Sequence, residues 1–277
     1  MTNIKELLNN NRNVKLLKHA GSLGDQLSIS TYLVGGYVRD LLLGKKTKDI
    51  DIMVDKDSLS YAKKLSKKLK VNKTIEFEKF LTARIPHNEF EIEIANAREE
   101  SYNEKSRSPN IVKETTVTQD LSRRDFTINA LAVSLNKNNF GELIDSFNGI
   151  IDLNNQLIKT PLAPDETFKD DPLRMIRAIR FATQLQFKID KETLNAIKRN
   201  KDRITLVSTE RITSELFKIL ESDKPSIGFY LFDECDLNQY VFPELTNMKG
   251  VEIIDNKGHK DVFIHTLEVV DNAAKLT

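Results

Sequence analysis

Apolar and polar positions along this chain fall into blocks that switch between the strand and the helix period. Residues 1–29 carry a helical pattern that ends in a polar turn, and an apolar run over Ser30–Val34 then reads as a strand. A short helix over Tyr37–Leu43 and a polar loop over Gly44–Lys48 lead to Asp49–Val54, where polar and apolar residues alternate as in a half-buried strand. Asp57–Leu69 returns to the helical period, with Leu59, Ala62, Leu65 and Leu69 on one stripe and lysines opposite. Strand patterns over Thr74–Ile85 and Phe90–Ala95 flank the turn Pro86-His87-Asn88. Glu99–Thr118 is polar with few apolar anchors, which predicts a mobile surface loop. An amphipathic helix is expected through Asp120–Leu131, followed by a strand that ends in the Asn148-Gly149 turn. From Pro161 onward the pattern is helical, with helices starting at Asp171-Pro172 and covering Asp190–Asn200 and Thr209–Leu220, and with a helix and turn over Pro225–Phe242. The fold class this predicts is α+β, a mixed sheet with flanking helices followed by an all-α part.

Composition narrows the picture. At 277 residues the chain can bury a sizeable core, and 39% hydrophobic with 30% charged residues fits a soluble globular protein. No apolar run approaches the length of a bilayer span, and residues 1–13 lack a signal-peptide core, so no membrane association is expected. The single cysteine, Cys235, excludes an internal disulfide framework and points to a reducing cytoplasm. With four histidines beside it, a structural zinc site is not expected. The net charge of +1 decides nothing about a polyanionic partner. Its distribution adds weak support for one, with basic excess between Lys169 and Lys218 and a lysine cluster over Lys63–Lys70.

The chemistry concentrates around two neighbouring segments. On a strand Asp49 and Asp51 project to one side while Ile50, Ile52 and Val54 pack on the other. Two adjacent carboxylates repel each other unless a cation lies between them, and a hard divalent ion such as Mg²⁺ prefers such oxygen donors. The turn at Gly35-Gly36 lets backbone N–H groups approach an anion. Either feature alone is an ordinary turn or strand face; together they suggest nucleotide chemistry. Glu91 and Glu93 share one face of their strand, and either is a candidate third carboxylate for a two-metal site. Arg123 and Arg124 are adjacent at an expected helix start, where they either contact phosphate or ribose or form a salt-bridged terminus. Asp171 is explained by capping, yet it shares a helix face with Arg174, and Arg177 lies close by. An acceptor and a multi-donor at fixed spacing can hydrogen-bond the edge of a base.

Gly35-Gly36-Tyr37-Val38-Arg39-Asp40 followed by Asp49-Ile50-Asp51-Ile52-Met53-Val54 resembles the signature of bacterial and eukaryotic-type tRNA nucleotidyltransferases and bacterial poly(A) polymerases, within the DNA polymerase β-like superfamily. The resemblance continues through Glu93–Arg98, Arg123–Ala130, Leu143–Leu153, Asp170–Arg174 with Arg180-Phe181-Ala182, and Thr209–Arg211 with Glu215. It implies a nucleotidyltransferase head over residues 1–150, a helical neck over 151–222 that binds base and RNA, and the start of a helical body over 223–277. Asp49 and Asp51 would bind Mg²⁺, with Glu93 as the third catalytic carboxylate. Gly35, Gly36 and Arg39 would hold the triphosphate, and Arg124, Asp125 and Asn129 would read the ribose. Asp171 and Arg174, with Arg177 beside them, would select cytosine or adenine. Asp170 stands where the family usually has Glu. Ser101-Tyr102, Arg107 and Pro109 resemble a family loop that helps switch between nucleotides, and residues 143–153 resemble a structural hinge.

Gly258–Leu267 resembles the opening helix of an HD-type domain, whose first metal ligand would be His265. The His-Asp pair that should follow is not in the sequence, so an incomplete phosphohydrolase site and a C-terminal truncation are expected. The function the resemblance implies is template-independent addition of CMP and AMP from CTP and ATP to the tRNA 3′ end. The alternatives are a poly(A) polymerase, an enzyme adding only C or only A, and, more remotely, a non-catalytic RNA-binding module.

Overall fold

A computed structural model describes residues 4–46, 49–87, 89–103, 106–250, 253–254, 257–258 and 261–276, as backbone alone over 99–114 and 253–258. The chain divides into two compact units, Met1–Leu153 and Asn154–Thr277, and the segment from 223 onward belongs to the second.

In the first unit α1 (Ile4–Asn9) and α2 (Val14–Leu27) precede β1 (Thr31–Val34), α3 (Gly36–Leu42), β2 (Asp49–Val54) and α4 (Ser58–Lys68). Then come β3 (Ile75–Phe77), β4 (Thr82–Pro86), β5 (Glu91–Asn96), β6 (Arg98–Asn103), β7 (Ser106–Glu114) and α5 (Val117–Ser122). The unit closes with β8 (Ala132–Ser134), β9 (Leu143–Ile144) and α6 (Gly149–Asn154). Seven strands form one sheet in the order β3-β4-β5-β2-β1-β8-β9. Its neighbours run antiparallel except β2 and β5, which are parallel.

The core explains this arrangement. Ile50, Ile52 and Val54 of β2, Leu33 of β1, and Ile92 and Ile94 of β5 pack with Leu16, Leu17, Ala20 and Leu23 of α2 and Tyr61, Ala62 and Leu65 of α4. Strand alternation therefore places Asp49, Asp51 and Glu93 on the sheet's other face, where a smaller cluster of Val34, Met53, Ala97, Leu121, Ala130 and Ala132 lies.

The second unit is helical apart from short strand pairs. It contains β10 (Leu157–Ile158), α7 (Pro164–Asp170), α8 (Leu173–Leu185), β11 (Lys188–Ile189), α9 (Lys191–Asn200), α10 (Thr209–Leu220) and α11 (Ser226–Glu234). It continues with α12 (Asn238–Val241), α13 (Pro243–Asn247), β12 (Ile253–Ile254), β13 (Lys257–Gly258) and α14 (Val262–Ala274). Met175, Ile176, Ala178, Ile179 and Ala182 bury the inner face of α8 and leave Arg174 and Arg177 on its partly exposed side. Among the described residues no helix is long and apolar enough to cross a membrane.

Several sequence expectations need correction. The helix of residues 1–29 is two helices, broken where Asn11 and Asn13 bond the buried Tyr37 hydroxyl. The strand expected over Thr74–Ile85 folds back on itself, because Leu81 takes a left-handed conformation with φ 48° after the 3₁₀ turn Glu78–Phe80. The loop over Glu99–Thr118 is instead an antiparallel hairpin of β6 and β7 leading into α5. The side chains of Ser101, Tyr102, Arg107 and Pro109 lie outside the described residues, as do His259 and Lys260. Arg123 and Arg124 follow the end of a helix rather than starting one. The overlooked signal is Thr116-Val117-Thr118-Gln119, a capping box in which Thr116 Oγ1 accepts the Gln119 N–H and Gln119 Oε1 accepts the Thr116 N–H. Pro225–Phe242 is likewise two helices rather than one.

Thr116→Ala removes one half of that box. It is expected to cost about 1 kcal/mol, read as a lower urea midpoint with an unchanged slope.

Candidate functional site

Asp49 and Asp51 leave β2 on the face away from the main core, Asp49 exposed and Asp51 partly buried. The parallel register sets Asp49 opposite Glu91 and Asp51 opposite Glu93. Glu91 is exposed, whereas Glu93 lines a cleft of roughly 140 Å³ together with Asp51, Asn96, Arg98, Asp120, Arg123 and Arg124. Of the two candidate third carboxylates, Glu93 is the one beside the cleft.

Gly35 closes the end of β1 against this cleft. Its φ of +68° is a left-handed conformation that favours glycine. A Cβ there would come within 2.9 Å of Arg124 Nη1 and 3.4 Å of Asp51 Oδ2. Gly35, Asp51 and Arg124 therefore converge. The Gly35 N–H donates to Leu131 O at 3.2 Å, which leaves a smaller share of the turn's amides to face an anion than its composition implied. At Gly36 an added Cβ meets Arg39 at ordinary contact, 3.5 Å.

Sequence reasoning did not single out Asp120, the centre of the basic wall. Its buried carboxylate accepts from Arg123 Nη2 at 2.6 Å, from Arg124 Nε and Nη2 at 3.2 and 3.1 Å, and from the Arg98 backbone N–H at 3.2 Å. Burial pushes this carboxyl up, but Arg124 and Arg123 outweigh burial and hold it below its usual range. The signal was available in the spacing, since Asp120 lies three and four residues before the two arginines. Arg98 in turn donates to Thr82 Oγ1 at 2.8 Å and to the Phe80 carbonyl.

Arg39 is buried rather than open to solvent. Its Nη1 donates to Asn129 Oδ1 at 2.7 Å, and its Nε and Nη2 bond Asp40 at 2.9 and 2.8 Å. Asn129 Nδ2 donates to Asp125 Oδ1 at 3.0 Å, an oxygen that also accepts the Phe126 N–H at 2.9 Å. The structure thus joins Arg39 to Asp125 and Asn129 in one buried chain of bonds.

Asp171, Arg174 and Arg177 lie on the second unit. Asp171 follows the end of α7 and is not the N-cap expected for α8: that position is Pro172 and α8 starts at Leu173, so the Leu173 N–H that Asp171 Oδ1 accepts at 3.1 Å closes a turn between the two helices. Arg211 Nη2 donates to Asp171 Oδ2 at 2.7 Å, and a carboxylate with about four acceptor positions still has room for a further donor. Arg174 Nη1 reaches the Thr167 carbonyl at 3.5 Å, and Arg177 Nη1 lies 3.8 Å from the buried Glu215. His265 sits exposed on α14.

Among the described residues no group of three or more carboxylate, imidazole or thiol side chains is gathered to hold a metal. The donors that are present, Asp49 and Asp51, suit a hard divalent cation that keeps water and substrate oxygens as its other ligands. The Asp51 carboxyl is pushed up to about 6 by burial, partly offset by Arg124 and reinforced by Glu93 and Asp49. A bound cation would relieve that repulsion.

Comparison with known proteins adds a separate finding. Residues 31–159 match the poly A polymerase head domain, and residues 186–249 match the probable RNA and SrmB-binding site of polymerase A. The chain is 33% identical over 245 residues to an A-adding tRNA nucleotidyltransferase of Halalkalibacterium halodurans, covering 86% of this chain and 56% of the relative. A CCA-adding enzyme in an apo form superposes with a TM-score of 0.77 at 36% identity, over 88% of this chain and 58% of that one. A tRNA nucleotidyltransferase complexed with a primer tRNA and an incoming ATP analog superposes with a TM-score of 0.72 at 30% identity, over 83% and 66% of the two chains. The chain spans 24% to 56% of the lengths of the curated relatives it matches.

The raised Asp51 carboxyl has a thermodynamic consequence. Because its folded value of about 6 exceeds the ordinary 3.8, the ionised group opposes folding above pH 6, and the penalty fades as pH falls toward 4. Asp51→Asn is therefore expected to stabilise the metal-free protein at pH 8 by up to about 3 kcal/mol, one pKa unit being about 1.4 kcal/mol. The gain should vanish near pH 4 when both proteins are melted across the pH range.

Proposed function

The chain belongs to the family of poly(A) polymerases and tRNA nucleotidyltransferases, and from that premise we propose that it adds CMP and AMP from CTP and ATP to the 3′ end of tRNA without a template. The observation that carries this reading is the convergence of Asp51, Gly35 and Arg124 on one cleft, with Asp49 on the same strand face. Carboxylates on one side and arginines on the other suit a magnesium nucleoside triphosphate, whose negative charge needs cations on several oxygens at once.

In the proposed reaction the RNA 3′ hydroxyl attacks the α-phosphate in line, the new P–O bond forms, and the bond to the β-phosphate oxygen breaks to release pyrophosphate. Asp49 and Asp51 would hold Mg²⁺, with Glu93 completing the acidic side. When bound, Mg²⁺ lowers the pKa of the attacking hydroxyl and neutralises charge in the transition state. Gly35 and Gly36 let the triphosphate approach the backbone. Arg124 stands where a guanidinium can meet a phosphate or ribose oxygen, held by Asp120 so that little ordering is left for the moment of binding. Arg39 supports Asn129 and Asp125, the residues proposed to read the ribose. On the second unit, Asp171 and Arg174 would supply an acceptor and donors for the base edge, with Arg177 beside them.

A second reading is addition of A alone, which the likeness to an A-adding tRNA nucleotidyltransferase favours. Both readings share the acidic pair and differ in which nucleotide is accepted.

Transcripts of tRNA ending before CCA, incubated with CTP, ATP or both and sized on a gel, separate the two. Full addition extends the RNA by CC with CTP and by CCA with both nucleotides, whereas an A-adding enzyme extends only a transcript that already ends in CC. Asp51→Ala is expected to lower transfer at least about a hundredfold while RNA binding in a filter assay stays intact; unchanged transfer would remove the metal site from the mechanism. Arg174→Ala is expected to blur the choice among the four nucleoside triphosphates, seen as misincorporation in the same assay.

A further inference from the structure

Glu93 already has a cation of its own. Arg84 on β4 lies directly across from Glu93 on β5, and Glu93 lies directly across from Asp51 on β2. One row thus crosses three strands, from guanidinium to carboxylate to carboxylate. Arg84 Nε donates to Glu93 Oε2 at 3.1 Å, with the two side chains 54% and 42% exposed. Thr82, Ala83 and Ile85 are buried around Arg84, so β4 anchors the backbone while the guanidinium stays in solvent. Its central carbon also stands 5.8 Å from the centre of the Phe77 ring on β3, a second resting contact for the charge.

A cross-strand ion pair is an ordinary feature of a sheet. This one differs in the carboxylate it holds. Glu93 is in register with Asp51 and lines the same cleft, yet among the described residues the acids do not gather into a group of three. An oxygen that accepts a guanidinium N–H presents one fewer lone pair to a metal. A positive charge one strand farther out also opposes the arrival of a dication.

We propose that Arg84 is the internal counter-ion of this acidic site, holding Glu93 by Oε2 and competing with the divalent cation for that carboxylate. The proposal rests on reading Asp49, Asp51 and Glu93 as a cation-binding site. Arg84 is then a positioning residue: it keeps Glu93 neutralised while no cation is bound, and it yields Glu93 and keeps the Phe77 ring face when one binds. The competition is weak because the pair is half in water, so it sets how much divalent ion the site needs and does not block it.

The test is Mn²⁺ binding to the full chain without nucleotide, followed by water-proton relaxation. Arg84→Gln is expected to bind Mn²⁺ roughly two- to fivefold more tightly than the unaltered protein, the scale of one exposed ion pair. The difference should shrink at about 0.5 M salt, where exposed charges are screened. Arg84→Lys should stay close to the unaltered protein, and in an Glu93→Gln background Arg84→Gln should make a smaller difference than it does alone. If R84Q keeps its circular dichroism and melting temperature but binds Mn²⁺ no more tightly, the counter-ion role is overturned and the proposed function stands. If Asp51→Ala leaves Mn²⁺ binding of the otherwise unaltered chain unchanged, the acidic site itself is overturned, and the counter-ion with it.

Discussion

The parallel pairing of β2 with β5 is the constraint on which the first unit depends. Alternation along both strands sends Ile50, Ile52, Val54, Ile92 and Ile94 into the same apolar layer under α2 and α4. The same alternation leaves Asp51 facing Glu93 across the sheet. A slip of one residue on either strand would exchange acids for isoleucines and empty both the core and the acidic row. Burial of the apolar face therefore holds the carboxylates in a register that their own repulsion opposes, and the Asp51 carboxyl, raised chiefly by its burial and further by Glu93 and Asp49, carries part of that cost.

Charge on the other side of the cleft is organised by burial too. Asp120 is almost wholly enclosed, and its carboxylate gathers Arg123, Arg124 and the Arg98 amide. A buried carboxylate is tolerable only when its partners satisfy it. Here the partners are the same arginines that wall the cleft, so one interaction stabilises the enclosed acid and orients the guanidinium groups. Arg39 works in a similar way, buried against Asn129 and Asp40 with Asp125 one bond farther on.

The second unit repeats the principle with a different acid. Glu215 of α10 is buried and faces Arg180 at 2.6 Å, Lys218 at 2.9 Å and Arg177 at 3.8 Å, joining α10 to α8 beneath the partly exposed row of Asp171, Arg174 and Arg177. Arg180 also lies over the Phe181 ring at 3.9 Å. The polar face of α8 is in this way stiffened from below, and Arg211 steadies Asp171 at its start.

Local pattern was enough to locate β2, α4, α9, α10 and the acids at Asp49 and Asp51, because strand and helix periods are properties of neighbouring residues. The motif around Gly35 was legible for the same reason, since a left-handed turn needs its residue type on the spot. What local pattern missed depends on partners distant in sequence or on backbone conformation that side-chain type does not reveal. The reversal at Leu81 is a left-handed bend in a residue that rarely adopts one. The hairpin of β6 and β7 is a backbone ladder between two segments of the chain, which the polar pattern of Glu99–Thr118 does not announce. The burial of Arg39 and the Arg84–Glu93 pair needed strands and helices to be laid side by side. The sequence by itself determined which faces are apolar and where the acidic residues stand along the chain; only the tertiary structure decided which cations they meet, because that choice is made between strands and not along them.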